Sequence, residues 1–293
     1  MPVKKLRFAL FGNVYQAEKS VSAARVMQYL SAQGMQMCVE RTFSAFLRQR
    51  GLMPDGVPSF EGTDFDADYV VSLGGDGTFL SAANSVGAKG IPIVGVNTGR
   101  LGFLADITPQ EIELSLRAIL MGDYRVEEHT AIMMRAEDGI PLDNPYALNE
   151  IAVLKRDNAS MISIHTEING EYLMTYQADG LVVSTPTGST AYSLSNGGPI
   201  LTSGTRVLCL TPVAPHSLNV RPLVVPDTAV VRLNVTSRSR HFLVAADGRS
   251  QDCTEDCTLI ISRAPYLIKI IKRPDHSYFG TLREKLMWGA DTR

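Results

Sequence analysis

The sequence YVVSLGGDGTFL occupies Tyr69–Leu80 and joins a strand-like run to a glycine-rich turn. Tyr69–Leu73 is almost continuously apolar, which is typical of a strand covered on both faces. Glycines in the following turn let the backbone approach an anion closely, and the start of the next helix presents unpaired N–H groups. The segment therefore predicts a parallel α/β sheet with a phosphate-binding turn made by Gly74, Gly75, Gly77 and Thr78.

Asp76 places a carboxylate inside this turn, where it would repel a bound phosphate unless it has a role. It could orient Mg²⁺ or accept a proton from an attacking hydroxyl. The alternative is structural, with Asp76 capping the next helix. The turn is not a P-loop, because no Gly-Lys-Ser/Thr follows, and Leu80 replaces the third small residue of the dinucleotide fingerprint.

Short apolar strands alternate with amphipathic helices on both sides of the turn. The other predicted strands are Leu6–Phe11, Met35–Glu40 and Ile91–Val96. The predicted helices are Ala17–Gln33, Arg41–Arg50 and Pro109–Met121, and Gly51–Asp68 is predicted as a loop. This βαβ rhythm predicts a Rossmann-like, mostly parallel sheet in an α/β domain at residues 1–123.

From residue 124 onward the pattern is mainly strand-like. The predicted strands are Arg125–Arg135, Tyr146–Lys155, Met161–Ile168, Glu171–Tyr176, Leu181–Ser184, Val207–Thr211, Ala229–Val235, His241–Ala245, Cys257–Ser262 and Tyr266–Ile271. Helices are predicted at Ser189–Asn196 and Tyr278–Trp288. We expect a β-rich domain at residues 124–273, with the last helix, within 274–293, packing back on the N-terminal domain.

Composition excludes several classes of protein. The chain has 293 residues, with 28 basic and 30 acidic side chains, so its net charge of −2 argues against a dedicated binder of nucleic acid or anionic membranes. No apolar run has the length of a membrane span, and no secretory signal is evident. The four cysteines lack disulfide or metal spacing, and the histidines lack metal spacing, so we expect reduced thiols in a cytoplasmic protein.

Three further segments carry polar groups. Asn97–Asp106 follows a predicted strand, where open α/β sheets bind ligands; the alternative is a plain glycine-rich connection with Phe103 in the core. Asn149 and Glu150 are adjacent polar residues in an apolar strand; they could pair with an adenine edge and a ribose diol, or mark a polar edge or turn. The basic residues Lys269, Lys272 and Arg273 predict a solvated face.

The segment Ala178–Pro199 has seven Ser and Thr side chains between Ser184 and Ser195. Hydroxyls at this density suit a sugar and a pyrophosphate. The segment has no Gly-x-Ser-x-Gly elbow and no histidine nearby, which disfavours a serine hydrolase.

Together these segments resemble the NAD kinases over nearly the whole chain. The resemblance rests on Gly74–Thr78, Asn97–Asp106, Asn149–Glu150, Asp179–Pro199 and the block Pro215–Pro222 (PHSLNVRP). GGDGT alone also occurs in lipid kinases, but its combination with TPTGSTAY is specific to this family. The resemblance implies Mg²⁺-dependent transfer of the γ-phosphoryl group of ATP to the 2′-hydroxyl of the adenosine ribose of NAD, giving NADP.

The resemblance also implies roles for individual residues. Asp76 matches the general base, and Asn149 and Glu150 match the pair that holds the adenosine portion. The positions that match NAD-binding residues are Asp76, Gly77, Phe103, Asn149, Glu150, Asp179, Thr187, Thr190, Ala191, Tyr192, Ser193, Leu194, Ser195 and Ala214. Gln177 and Arg249 depart from the family pattern, so no role is carried over to them. The family is usually a homodimer or homotetramer.

Two functions other than that of an NAD kinase are compatible with some of these residues. A lipid kinase of the diacylglycerol type shares the glycine turn, but it would need an apolar or basic face for membrane docking, and the sequence has no such block. A nucleotide-sensing module without catalysis would have no use for Asp76.

Overall fold

The protein is described by a computed structural model that covers residues 5–14, 20–99, 102–137, 142–143, 145–157 and 160–287. Its chain divides into one unit formed by Met1–Glu128 and Ile268–Arg293 and a second unit formed by His129–Leu267. The first unit is α/β and the second is β-rich, which confirms the predicted fold class.

The first unit is built on parallel strands. These are β1 (Arg7–Gly12), β2 (Gln36–Glu40), β3 (Ser59–Phe60), β4 (Tyr69–Gly74) and β5 (Ile93–Asn97), in the order β3-β2-β1-β4-β5. The end of the long last strand, β17 (Leu259–Lys272), pairs parallel to β5 through Ile270 and Ile93. Central pairs such as Leu10 with Val71 are fully buried, as continuous apolar strands require.

The first unit contains five helices in its described residues. They are α1 (Ser20–Ala32), α2 (Arg41–Gln49), α3 (Asp76–Val86), α4 (Ile112–Met121) and the C-terminal helix α6 (Tyr278–Leu286), with 3₁₀ turns at Gly87–Lys89 and Pro109–Glu111. Helices α1 and α3 connect neighbouring parallel strands. A capping box between Thr108 and Glu111 begins the segment leading into α4, and Gly122 in the left-handed conformation ends it. Because parallel strands need crossover connections, this order places the carboxyl ends of β4 and β5 side by side.

The second unit consists of antiparallel strands. Their bounds are β6 (Arg125–Ala136), β7 (Tyr146–Ala147), β8 (Glu150–Lys155), β9 (Ile162–Ile168), β10 (Glu171–Ala178), β11 (Gly180–Ser184), β12 (Val207–Val213), β13 (Leu223–Pro226), β14 (Val231–Thr236), β15 (His241–Ala246) and β16 (Arg249–Thr254). One sheet has the order β13-β12-β11-β8-β15-β16, and β10, β9, β14 and β17 follow one another in a second. A 3₁₀ turn, Thr187–Thr190, and the short helix α5, Tyr192–Ser195, follow β11.

Most strand predictions are confirmed within a few residues, and several details were wrong. The predicted loop Gly51–Asp68 contains β3, and the predicted strand Tyr146–Lys155 is interrupted at residues 148–149. Cys257–Ser262 and Tyr266–Ile271 belong to one strand, β17, while β13 and β16 were not predicted. The predicted helix starting at Ala17 is confirmed from Ser20 onward; residue 17 and the predicted end at Trp288 lie outside the described residues.

Candidate active site

The glycine turn follows β4 directly and opens α3, as predicted. Gly75 is the N-cap residue of α3 and Asp76 is its first residue, with no side chain capping the helix. A side chain on Gly74 would overlap the Thr78 side chain, whereas no atom lies within 4 Å of the position that a Cβ atom would take on Gly75 or Gly77. The backbone at this end of α3 is therefore accessible to an anion.

The Asp76 carboxylate is bound by a neighbouring segment and does not cap its own helix. Its Oδ2 accepts the backbone N–H of Phe103 at 3.0 Å, and its Oδ1 accepts those of Leu104 at 3.0 Å and Ala105 at 3.2 Å. The Lys285 ammonium, from α6, donates to Oδ2 at 3.2 Å. The helix-cap interpretation of Asp76 was therefore wrong. The carboxylate is oriented by four donors.

The segment that binds Asp76 is itself held tightly. A side chain on Gly102 would overlap Asp76 Oδ1, so this position requires glycine. Lys272 Nζ donates to the carbonyl oxygens of Phe103 and Leu104 at 3.5 and 3.4 Å. Phe103 is half-buried, with Lys285 Nζ 4.3 Å from the centre of its ring. The second predicted segment thus contacts the first in this unit; its residues 100 and 101 lie outside the described ranges.

Lys272 was predicted to lie on a solvated face, and this was wrong. Its side chain is 3% exposed and forms an ion pair with Asp106 at 3.0 Å, where His276 Nδ1 also lies 3.0 Å from Asp106 Oδ2. Burial of Asp106 favours its protonated form, but hydrogen bonds and charge from His276 and Lys272 outweigh this and lower the pKa of Asp106. A buried ion-pair network therefore supports the segment that orients Asp76.

A cleft of about 460 Å³ lies beside the glycine turn. Its lining residues, all in the first unit, are Phe11, Gly12, Asn13, Val14, Glu40, Thr42, Gly75, Gly77, Thr78 and Ser81. Glu40 is the charged member of this lining, and its carboxylate is the N-cap of α2, accepting the N–H groups of Thr42 and Phe43 at 2.9 Å. The cleft thus offers backbone and hydroxyl groups to a ligand.

Asn149 and Glu150 lie in the second unit, at the start of β8. The prediction that both lie within one strand was wrong, because Asn149 is in the turn between β7 and β8 and Glu150 is the first residue of β8. Asp247, from another loop, accepts the N–H groups of both at 2.8 and 3.2 Å. A peptide turn with its N–H groups bound in this way can present both side chains to a ligand.

The side chains of Asn149 and Glu150 each have one buried oxygen atom that can still accept a hydrogen bond. Asn149 Oδ1 and Glu150 Oε2 make no hydrogen bond to any described residue. Burial, reinforced by the charge of Asp247, raises the pKa of Glu150 to about 8, although the backbone N–H of Tyr192 donates to this carboxylate. Burial also raises the pKa of Asp247. Unpartnered buried acceptors of this kind fit a ligand that brings its own hydroxyl or amino donors.

The hydroxyl-rich segment begins where β11 ends, and Ser184 pairs with Glu150 in the sheet. Four of its hydroxyl residues are fully buried, namely Ser184, Thr185, Ser189 and Ser193. Thr185 and Ser189 bind backbone carbonyls, and Ser193 bonds to Thr211 at 2.9 Å, so these three hydroxyls stabilise the segment. The predicted site residues of this segment that are partly or fully exposed are Thr187, Thr190, Ala191, Tyr192, Leu194 and Ser195.

The remaining predicted residues lie at the other end of β11. Asp179 immediately precedes β11 and forms an ion pair with Lys155 at 2.8 Å. Ala214 follows β12 with a left-handed φ of 44°. The Asp179 N–H donates to the carbonyl oxygen of Val213, the residue before Ala214. The second unit therefore groups Asn149 and Glu150 with the Tyr192 segment, and Asp179 with Ala214.

The two departures from the family pattern have structural contacts. Gln177 bonds to Ser163 at 2.8 Å, and Arg249 donates to the carbonyl oxygens of Ala246 and Tyr146. Sequence reasoning missed Asp247, Lys272 and Lys285. No spacing signal could have found them, because each acts on a segment remote along the chain.

Neither a protein-only metal site nor a membrane span is found in the described ranges. These ranges hold no cluster of three or more His, Cys, Asp or Glu side chains suited to a metal ion. None of their helices is both long enough and apolar enough to cross a bilayer.

Two family models match most of the chain: the ATP-NAD kinase N-terminal domain over residues 8–124 and the ATP-NAD kinase C-terminal domain over residues 148–273. The NAD kinase of Bacteroides fragilis is 54% identical, over 98% of this chain and 100% of its own length. That of Porphyromonas gingivalis is 44% identical, over 98% and 99%.

Two solved structures are similar in fold. Yeast NADH kinase complexed with NADH matches with a TM-score of 0.89 and 21% identity, over 98% of this chain and 89% of that chain. An NAD kinase from Archaeoglobus fulgidus in complex with ATP matches with a TM-score of 0.76 and 25% identity, over 96% and 99%.

Proposed function

The chain belongs to the NAD kinase family of phosphotransferases, and from this premise we propose which of its residues carry the reaction. The substrates are ATP and NAD, and the product is NADP. The observation that carries the proposal is the Asp76 carboxylate, fixed by three backbone N–H groups at the glycine turn that opens α3.

Asp76 acts as the general base. The 2′-oxygen of the adenosine ribose forms a bond to the γ-phosphorus of ATP, the bond from that phosphorus to the β,γ-bridging oxygen breaks, and the hydroxyl proton passes to Asp76. A ribose hydroxyl is a poor nucleophile, so positioning and charge neutralisation carry most of the catalysis. A positioned base contributes roughly 10²–10⁴ in rate.

Glu150 and Asn149 bind the adenosine portion of NAD. The unpartnered Glu150 Oε2 accepts from a ribose hydroxyl, and Asn149 Oδ1 accepts from the adenine amino group. The partly exposed members of the hydroxyl-rich segment, with Asp179 and Ala214, line the rest of the dinucleotide. Gly77 and Phe103 belong to the same set of binding residues.

The cleft beside the turn receives the phosphates of ATP. Its open glycine backbone and the hydroxyls of Thr78 and Ser81 supply donors, and the N-terminus of α3 favours negative charge. These hydroxyl oxygens are hard ligands that suit Mg²⁺, which typically takes few protein ligands and is held largely by substrate phosphates. Bound there, Mg²⁺ would neutralise phosphate charge.

We also propose a cellular compartment and an oligomeric state for the enzyme. All four cysteines lie in the described part of the chain and none of them forms a disulfide there, which supports a reducing, cytoplasmic compartment. A homodimer or homotetramer follows from the family resemblance, and light scattering of the purified protein measures it.

The function is tested by incubating the protein with NAD, ATP and Mg²⁺ and measuring NADP with an NADP-specific dehydrogenase. A parallel reaction offers diacylglycerol in place of NAD. We expect NADP and no phosphorylated lipid. Failure to form NADP with both substrates bound would overturn the proposal.

A further inference from the structure

The hydrogen-bonding capacity of the Asp76 carboxylate is fully used. Two carboxylate oxygens offer about four acceptor positions. Oδ1 takes the N–H groups of Leu104 and Ala105, and Oδ2 takes the Phe103 N–H and the Lys285 ammonium. A hydroxyl that is to give its proton to Asp76 must therefore displace one of these four donors.

Lys285 is the donor that can leave. The other three are consecutive main-chain N–H groups in a segment held from its other side by Lys272. Lys285 instead lies in the last turn of α6, at the end of a flexible side chain that is 29% exposed. Rotation of that side chain frees Oδ2 without any change in the backbone.

A second observation indicates where the ammonium goes. The cleft beside the glycine turn is lined by Gly75 and Gly77, the two neighbours of Asp76 in the chain. Its described lining has no basic side chain, and its one carboxylate, that of Glu40, already caps α2. A triphosphate bound there brings several negative charges, and no basic side chain of the described lining pairs with them. Lys285, resting 4.3 Å from the centre of the Phe103 ring, is a mobile positive charge at the edge of the same turn.

We propose that Lys285 is a further catalytic residue: it pairs with Asp76 before the substrates bind, moves to the donor phosphates when ATP binds, and stays with them during transfer. Its departure opens Oδ2 to the acceptor hydroxyl, and its charge then stabilises the transferring phosphoryl group. The bonds that form and break are those of the proposed reaction, so this inference rests on the proposed function and adds a residue to it.

The test compares Lys285→Met and Lys285→Arg with the matched control Arg283→Met, which removes one exposed charge from the same helix. For Lys285→Met we expect kcat to fall roughly 10²-fold and the KM for ATP to rise, with the KM for NAD unchanged. Lys285→Arg retains more of the activity, and the control behaves as wild type. Isothermal titration with ATP alone measures the lost phosphate contact independently of turnover.

The outcomes separate the possible roles. A Lys285→Met enzyme that is as fast as wild type, or faster because the base is freed, overturns the inference while leaving the proposed function intact. Wild-type protein that makes no NADP overturns both. Thermal melting checks that each variant is folded, and Lys285→Gln replaces Lys285→Met if the latter is not.

Discussion

Asp247 and Glu150 bind each other's main chain reciprocally. Asp247 Oδ1 accepts the Glu150 N–H at 3.2 Å, and the Asp247 N–H donates to the Glu150 carbonyl oxygen at 3.0 Å. These bonds hold the carboxyl groups of Glu150 and Asp247 near each other in the protein interior. This contact positions Glu150, and it also makes its ionisation unfavourable.

The first prediction concerns the pH dependence of stability. The pKa of Glu150 is raised from its ordinary 4.5 to about 8 by burial and by Asp247. Between these values the folded protein holds a proton that the unfolded chain releases, so the free energy of unfolding falls as pH rises, by up to about 1.4 kcal/mol per pH unit. In Glu150→Gln the contribution of Glu150 to this decrease is lost.

Urea unfolding between pH 5 and pH 8 measures the effect. Glu171→Gln, which changes an exposed carboxylate in the same unit, serves as the control and keeps the wild-type slope. Parallel slopes for wild type and Glu150→Gln would contradict the prediction.

The second prediction concerns the base. Asp76→Asn keeps the shape of the side chain and loses its basicity, so we expect an intact fold and a fall in turnover of at least ~10²-fold. Steady-state kinetics with NAD and ATP measure it, and Asp123→Asn, at an exposed position, is the control. Near wild-type turnover would remove Asp76 from the mechanism.

The third prediction concerns the space beneath the base. A methyl group in Gly102→Ala overlaps Asp76 Oδ1 and pushes the carboxylate from its N–H donors, so we expect kcat to fall at least roughly tenfold. The same change made in Asp76→Ala should cost little further, because the two overlapping Asp76 atoms are gone and only the Ala105 carbonyl oxygen, at 3.2 Å from the added methyl group, stays close. An additional loss in the double variant would show that Gly102 acts by another route.

The fourth prediction concerns the buried ion pair. Lys272→Met leaves the Asp106 carboxylate buried with one partner fewer, and we expect the free energy of unfolding to fall by about 3–5 kcal/mol. Adding Asp106→Asn removes the uncompensated charge, so the double variant should be more stable than Lys272→Met alone. Equilibrium urea unfolding of the three variants is the measurement, and strictly additive losses would argue against a direct pair.

Much of the first unit was predictable because buried parallel strands appear as continuous apolar runs and the glycine turn follows one of them. The break before Glu150 was not, because Leu148 is as apolar as a strand residue and the bonds from Asp247 come from about a hundred positions away. The strand β16 is rich in polar side chains at the edge of its sheet, so no apolar alternation marks it.

Some residues of the candidate site were likewise predictable from the sequence, and others were not. Asp76 and Glu150 lie in motifs whose composition already points to chemistry. Lys272 and Lys285 do not, since a lysine near the end of a strand or a helix is ordinarily solvated, and only the folded chain brings each beside a carboxylate.

Main-chain amides, and not side chains, aim the carboxylate of Asp76. Leu104 and Ala105 are buried and Phe103 is half-buried, so replacement of Phe103 alters what this loop presents but keeps its N–H group, provided that the peptide follows the same path. Evolution can thus change the side chain that this loop presents at position 103 without redirecting the Asp76 carboxylate.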